Sequence, residues 1–578
     1  MTGSAAPKDP EKARPFFYIL KDKDIFGERQ KDGTGIQFIY ESDGRLINSA
    51  QITGNVTDKE ELTLLETVEG FGRLVHSIGV SVETDRPEET AEFVFQMYGK
   101  KDLYGGGTNL TTSLKCDGME HRIYLSDYRW TEDDHVPGQI KILFAAPERM
   151  GKVSVRLFLN DGYEAPPEEE DLFIDMHSEE YCGMISRSLL QLGNPYRIRK
   201  AIEKSKAGKE VTLAYIGGSI TQGAGAIPIH TECYAYKSFQ LFQNRFSTQN
   251  NVRFIKAGVG GTPSELGMIR FDRDVLREGE RPDIVVIEFA VNDEGDETKG
   301  VCYESLVRKV LKLPWKPAVV LLFSVFANDW NLQERLRPVG DLYDLPMVSI
   351  LNAVTPQFSL KCGEGRILSK NQFFYDIFHP NNTGHTIMAD CLQYLFERCD
   401  AAEPARVGTF VEGMTEEQIL SEKLSGPAVI GADFERIFLL DKKNRYVGAK
   451  IRTGSFTSTD IELQSVEMDG SLTQTPEFPY NWMYDGSRPQ MPGFEMEITC
   501  KSLFLIFKDS GEMDVGKADV FVNDVYCMTA DPHKNNWLHC NAVLLFWETE
   551  SRSHKVRITV TEEDQNKKFT ILGFGYTI

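Results

Sequence analysis

No run of about 18 apolar residues occurs anywhere in this 578-residue chain, so the pattern excludes a membrane-crossing helix. The opening segment Met1-Thr2-Gly3-Ser4-Ala5-Ala6-Pro7-Lys8-Asp9-Pro10 lacks the apolar stretch of a signal peptide, and a cytoplasmic location is expected. The ten cysteines, scattered from Cys116 to Cys540, include no C-x-x-C pair, which suits reduced thiols better than a disulfide framework or a zinc site. Positive charge is also scarce. Against 86 acidic residues stand only 64 basic ones, a net charge of −22, so no Lys/Arg surplus exists to neutralise phosphates. Nucleic acid and anionic membranes are therefore not expected as partners, and the acidic excess mainly maintains solubility. Neither an internal repeat nor a low-complexity tract stands out.

What is present is ordinary for a folded protein, with 41% hydrophobic and 26% charged residues. The length exceeds one core and suggests about three domains. From about Phe16 to Leu159 the apolar segments are short and alternating, among them Phe38-Ile39-Tyr40, Val80-Ser81-Val82, Gln139–Phe144 and Val153–Phe158. That rhythm predicts an antiparallel sandwich or jelly roll. Ala165-Pro166-Pro167-Glu168-Glu169-Glu170 reads as a connector. Asn194 as N-cap, Pro195 in the first turn and Gly208 past the end predict a helix through Lys206. From about Pro427 the β pattern returns, in Val447–Arg452, Ser502–Phe507, Ala518–Val522 and Val556–Val560, and predicts a second sandwich. The expected division is 1–190, 191–404 and 405–578.

The middle third carries the chemistry. Val211–Ile216 is short, β-branched and apolar, as a central parallel strand should be, and runs into Gly217-Gly218-Ser219-Ile220. Glycines there permit a sharp exit that presents Ser219 to the crevice beyond the strand ends. A second strand, Phe254–Ala257, runs into Gly258-Val259-Gly260-Gly261, whose backbone N–H groups are free to bind an anion. A third, Asp283–Ala290, ends in Val291-Asn292-Asp293 and leaves a carboxamide at the same edge. Ala318–Phe326 and Met347–Ile350 read as a fourth and fifth strand, so a flavodoxin-like doubly wound α/β sheet is predicted. Later come Asp376-Ile377-Phe378-His379-Pro380-Asn381, and then His385. A serine, oxyanion donors and an Asp-x-x-His reaching successive strand ends are the parts of an acyl-transfer site.

These four segments resemble the four blocks of the SGNH, or GDSL-type, hydrolase family, over roughly residues 195 to 400. The likeness implies that Ser219 is the nucleophile, that Asp376 and His379 complete the triad, and that Ser219, Gly261 and Asn292 form the oxyanion hole. Gly260 is a rival to Gly261, because adjacent glycines blur the register. The first block reads Gly-Gly-Ser-Ile and the third Ala-Val-Asn-Asp, departures that leave every catalytic group in place. No cofactor is expected. A metal held by His379 and His385 lacks a third ligand at recognisable spacing, and His385 is expected to cap or pack against the following helix.

Members of the family with β-sandwich modules are often carbohydrate O-acetyl esterases, so the resemblance implies an acetylated oligosaccharide of xylan or mannan type as substrate. Trp330, with Asn328 and Asp329, lies at the active edge and suits a sugar ring; the alternative reading is that Trp330 anchors its own loop. The aromatic segment 476–493 either binds carbohydrate, reaches over the crevice or packs on its own domain. Alternatives are a short-chain lipase, lysophospholipase or thioesterase on the same site, a sugar O-acetyltransferase, or a glycan-binding protein on a decayed scaffold.

Overall fold

The Val211–Gly217 strand lies at the centre of a six-stranded sheet and is buried along its whole length. Its alternate residues serve two cores. Val211, Leu213 and Tyr215 face one cluster with Ile198, Phe242 and Leu392, while Ala214 and Ile216 face another with Leu266, Leu306 and Leu336. A strand covered by helices on both faces has no use for polar alternation, which is why it reads as one apolar run. The computed structural model describes residues 13–40, 45–101, 105–168, 170–402, 415–487 and 492–578. Met1–Pro10, the expected boundary at 404/405 and Glu169 of the connector lie outside them.

Across the sheet the order is Leu189–Gln191, Met347–Ser349, Ala318–Phe323, Ile284–Glu288, Val211–Gly217 and Val252–Gly258. The last five of these pair in parallel, in the flavodoxin-like order 2-1-3-4-5. Sequence pattern did not reveal Leu189–Gln191, an antiparallel edge strand of three residues. The fourth strand ends at Phe323, before the expected Phe326. The topological switch falls between the Val211 and Ile284 strands, which places the ends carrying Ser219 and Asn292 side by side. The Tyr196–Lys206 helix forms where expected. Asn194 Oδ1 accepts the Tyr196 N–H at 3.0 Å, and Gly208 takes φ +74° past the end.

On the N-terminal side, two antiparallel sheets of four and five strands enclose one core. The expected segments lie within Gly35–Tyr40, Val75–Thr84, Asp134–Phe144 and Met150–Leu159. Three helices, Arg45–Thr53, Lys59–Leu64 and Val68–Leu74, interrupt the β pattern. On the C-terminal side, hydrogen bonding joins eight strands into one antiparallel sheet. Its two long strands, Phe494–Asp509 and His539–Val560, slip register at Cys500/Ser502 and at Leu503/Phe504. Phe434, Phe504, Ile506, Cys540 and Leu572 of this part pack into the same apolar cluster as Leu266 and Phe289 of the central sheet. The C-terminal sheet therefore shares a core with the face of the central sheet that carries the glycine loop. All ten cysteines are unpaired, seven of them buried. Among the described residues no helix is long and apolar enough to cross a membrane.

Candidate active site

Two glycines make the turn that presents Ser219. A Cβ on Gly217 would stand 2.2 Å from Thr221 Oγ1, and one on Gly218 2.2 Å from Asn292 Oδ1, so neither position admits a side chain. Ser219 then opens a one-turn helix, Ser219–Gln222, that Gly223 ends at φ +110°. A first-turn residue leaves its N–H unused by the helix, and that of Ser219 has no protein partner among the described residues.

His379 Nε2 lies 2.9 Å from Ser219 Oγ. Its Nδ1 lies 3.0 and 2.9 Å from the two carboxylate oxygens of Asp376. The carboxylate fixes the tautomer: Nδ1–H donates to Asp376 and Nε2 is left to accept the serine proton. Asp376 Oδ1 also accepts the backbone N–H of Phe378 at 2.8 Å and of His379 at 2.9 Å, which closes the Asp-x-x-His loop on itself. A bridge between Phe374 and Pro380 pins its two ends.

The glycine register resolves on hydrogen bonding. Gly260 N–H is taken by Gln222 Oε1 at 3.1 Å. Gly261 N–H has no protein partner among the described residues, and Gly261 alone holds the left-handed conformation, at φ +73°. Of the two, only Gly261 can offer an N–H to an oxyanion. The Asn292 carboxamide lies against Gly218, beside the nucleophile turn, and its Oδ1 is buried without a partner among the described residues. The Ser219 hydroxyl, the His379 imidazole and the Asp376 carboxylate thus meet at the switch point, beside the Gly261 N–H and the Asn292 amide.

Residues 215–387 match the family model of the GDSL-like lipase/acylhydrolase family. The chain carries a GDSL-like lipase/acylhydrolase domain. No curated protein matches the chain. The crystal structure of a two-domain esterase, CEX, active on acetylated mannans is similar at 23% identity and TM-score 0.54, covering 68% of this chain and 98% of that one. The same esterase co-crystallised with mannopentaose is similar at 23% identity and TM-score 0.53, with the same coverage.

Around the GDSL-like site, the flanking parts supply contacts that no spacing announced. Trp537, in the loop before the His539–Val560 strand, and His539 press on Gly261, where a Cβ would meet Trp537 Cζ2 at 2.7 Å and His539 Nε2 at 3.0 Å. Trp537 is 45% exposed, a large indole standing at the rim of the glycine loop. Trp330 is half-buried and stacks on Phe326 at 5.8 Å between ring centroids. Phe326 in turn meets Phe378 at 5.1 Å, and Phe378 meets His379 at 6.1 Å. A row of rings therefore runs from Trp330 to the base. Asp329 is turned toward Lys370, 3.1 Å away, while Asn328 is exposed. In the aromatic segment, Trp482 and Tyr484 are buried in the core of the C-terminal sheet, and Phe478 joins the shared cluster. These rings pack on their own surroundings, and Tyr480 is left exposed.

His385 sits within the helix it was expected to cap or pack against, and it satisfies the first N–H of another helix, Tyr234–Phe246. It lies buried inside Asn382–Asp400, where Nδ1 accepts the Tyr234 N–H and Nε2 donates to the Ala224 carbonyl, both at 3.1 Å. Burial pushes its pKa down to about 3, so the ring is neutral and structural. Beneath the nucleophile turn, Glu288 ends its strand fully buried and accepts the Thr221 hydroxyl at 3.1 Å. Burial pushes its carboxyl up to about 7.

Proposed function

We propose that this protein is a serine esterase that removes O-acetyl groups from neutral oligosaccharides of mannan or xylan type. The observation that carries the reading is the unbroken chain from Ser219 Oγ through His379 to Asp376, beside the N–H groups of Ser219 and Gly261, which have no protein partner among the described residues. In this scheme His379 Nε2 takes the Ser219 proton as Oγ attacks the acetyl carbonyl carbon. The tetrahedral oxyanion is bound by the N–H groups of Ser219 and Gly261 and the Asn292 amide. Each such donor typically contributes about 3–4 kcal/mol of transition-state binding. His379 then protonates the departing sugar oxygen, leaving an acetyl-serine. Water enters, gives its proton to His379, and acetate leaves as Ser219 recovers its hydrogen.

The sugar part of the reading is supported by the mannan-active esterase of similar fold and by exposed indole at the site rim. A tryptophan face suits the apolar side of a pyranose. The chain's negative charge suits a neutral substrate better than a polyanionic one. Acetate release from a panel of acetylated manno- and xylo-oligosaccharides tests the assignment, with p-nitrophenyl esters of increasing chain length alongside. Release from both acetylated series, lost in Ser219→Ala, is expected. Hydrolysis of long-chain esters with no acetate freed from any sugar would overturn the carbohydrate assignment.

A further inference from the structure

The glycine loop is held from outside its own domain. Gly260 carbonyl accepts Gln464 Nε2 at 2.9 Å, and Gln464 Oε1 in turn accepts the Cys540 N–H at 2.9 Å. Both residues belong to the C-terminal part, and Gln464 is buried. The peptide linking Gly260 to Gly261 is planar and trans, so its carbonyl and its N–H point in opposite directions. Fixing the Gly260 oxygen therefore aims the Gly261 N–H. Accepting a hydrogen bond at that carbonyl also polarises the peptide and makes its N–H a stronger donor.

The next peptide is held as well. His539 Nε2 lies 3.1 Å from the Gly261 carbonyl, and His539 Nδ1 lies 3.1 Å from Asp509 Oδ2. Asp509 and His539 are directly opposite each other on the two long antiparallel strands, which is what brings the carboxylate to the ring. Asn535 Nδ2 donates to the same Asp509 oxygen. On the other side, Gln222 Oε1 accepts Gly260 N–H while its Nε2 donates to Glu467 Oε2 of the C-terminal part at 3.0 Å. Three of the four backbone polar groups of Gly260 and Gly261 are thus engaged, and the one left over is the Gly261 N–H.

We propose that Gln464 and the Asp509–His539 pair are positioning residues for the oxyanion hole, so that the C-terminal sheet is a working part of the active site. The inference rests on the esterase reading above. None of these side chains touches the reacting atoms. Their effect falls on the transition state, where the oxyanion exists, and not on ground-state binding.

The test is steady-state hydrolysis of p-nitrophenyl acetate by the full chain. Wild-type activity that disappears in Ser219→Ala is the control, and its failure would sink the esterase reading independently of this one. Given that activity, Gln464→Glu keeps the acceptor for Cys540 N–H but loses the donor to Gly260. It is expected to lower kcat about 10- to 100-fold with KM within about twofold. Affinity for phenylboronic acid, whose tetrahedral serine adduct places an oxygen in the oxyanion hole, should fall by a similar factor. His539→Ala should behave alike, and His539→Gln, which restores a donor near the Nε2 position, should recover most of the loss. Unchanged kcat in both Gln464→Glu and His539→Ala would overturn the proposal. So would a kcat loss no larger than the loss of folded protein measured by circular dichroism, or a loss borne by KM alone.

Discussion

The ammonium of Lys23, on the N-terminal Phe16–Phe26 strand, donates to the carbonyl of Phe374, two residues before Asp376. It also reaches the Asn371 carbonyl at 3.4 Å, while Asn371 Nδ2 donates back to the Asp171 carboxylate at 2.9 Å. Gln372 Nε2 donates to the Leu172 carbonyl at 2.6 Å. The short helix Lys370–Phe373 that leads into the acid–base pair is therefore tied to the N-terminal part.

Replacing Lys23 by Met should strand the Phe374 carbonyl, at about 1–3 kcal/mol, while the Asn371 carbonyl keeps its bond from Asn381 Nδ2 at 3.1 Å. A lower melting temperature is expected, with kcat reduced about 3- to 10-fold and KM little changed, because the loop bearing Asp376 and His379 loses its stay. Thermal melts and initial rates on an acetyl ester measure both. An unaltered kcat in a destabilised variant would confine Lys23 to folding.

The triad geometry ranks its own substitutions. Ser219→Ala should abolish turnover without unfolding the protein, since alanine fits the same turn. His379→Ala should cost several orders of magnitude. Asp376→Asn can keep its bonds to the Phe378 and His379 N–H groups, yet an amide facing Nδ1 favours the wrong tautomer. Nδ1 has no backbone carbonyl to fall back on among the described residues, so a loss of about a thousandfold in kcat is expected. Retention of most activity in Asp376→Asn would show that something else orients the ring.

On the proposed mechanism, Asn292 binds charge that exists only in the transition state. Asn292→Ala should lower kcat by about 10²–10³ with KM nearly unchanged. The alanine also opens space over Gly218, whose close approach to the amide currently bars a side chain there. A change confined to KM would make Asn292 a contact for bound substrate.

The site's own segments were legible because each couples an apolar strand to a residue type with one chemical use. Gly217-Gly218 marks a sharp exit from its strand, and Ser219 and Asn292 follow strands directly, whereas Asp376 and His379 follow the short helix Lys370–Phe373. Choosing Gly261 over Gly260 needed the Gln222 bond, which sequence does not display. Gln464, Asp509 and His539 escaped for a physical reason: cross-strand pairing and domain packing join residues whose separation along the chain has no period. The same holds for Lys23, one of two lysines in its strand, where a solvated side chain is the ordinary outcome. The N-terminal helices between Arg45 and Leu74 were missed because their apolar residues are sparse and each helix is short.

Two buried groups set opposite limbs of the pH–stability curve. Burial holds the His385 pKa at about 3 against an ordinary 6.5, so its contribution is present above pH 6.5 and is lost as pH falls toward 3. Glu288 is held at about 7 against 4.5, so its contribution is complete below pH 4.5 and is lost as pH rises to 7. The full spans correspond to about 4–5 kcal/mol for the histidine and about 3 kcal/mol for the glutamate. Melting temperatures of His385→Gln should therefore fall less steeply on acidification than those of wild type, and Glu288→Gln should flatten the decline between pH 4.5 and 7. Parallel curves for wild type and either variant would remove that group from the account.

Selectivity separates a sugar deacetylase from a lipid-directed enzyme on the same triad. A slot that accepts acetyl and excludes longer chains gains nothing from their hydrophobicity, so rates should fall with each added methylene from acetyl to octanoyl esters. Trp537 stands exposed over Gly261, whereas Trp330 is stacked on Phe326. Trp537→Ala should therefore raise KM for acetylated oligosaccharides about tenfold while changing p-nitrophenyl acetate hydrolysis little, since the small ester does not use a sugar platform. Trp330→Ala should instead lower kcat on both substrates, because it loosens the row of rings that ends at His379. Activity that climbs toward octanoyl esters, with Trp537→Ala harmless on every sugar, would sink the carbohydrate assignment and leave the Ser219 chemistry standing.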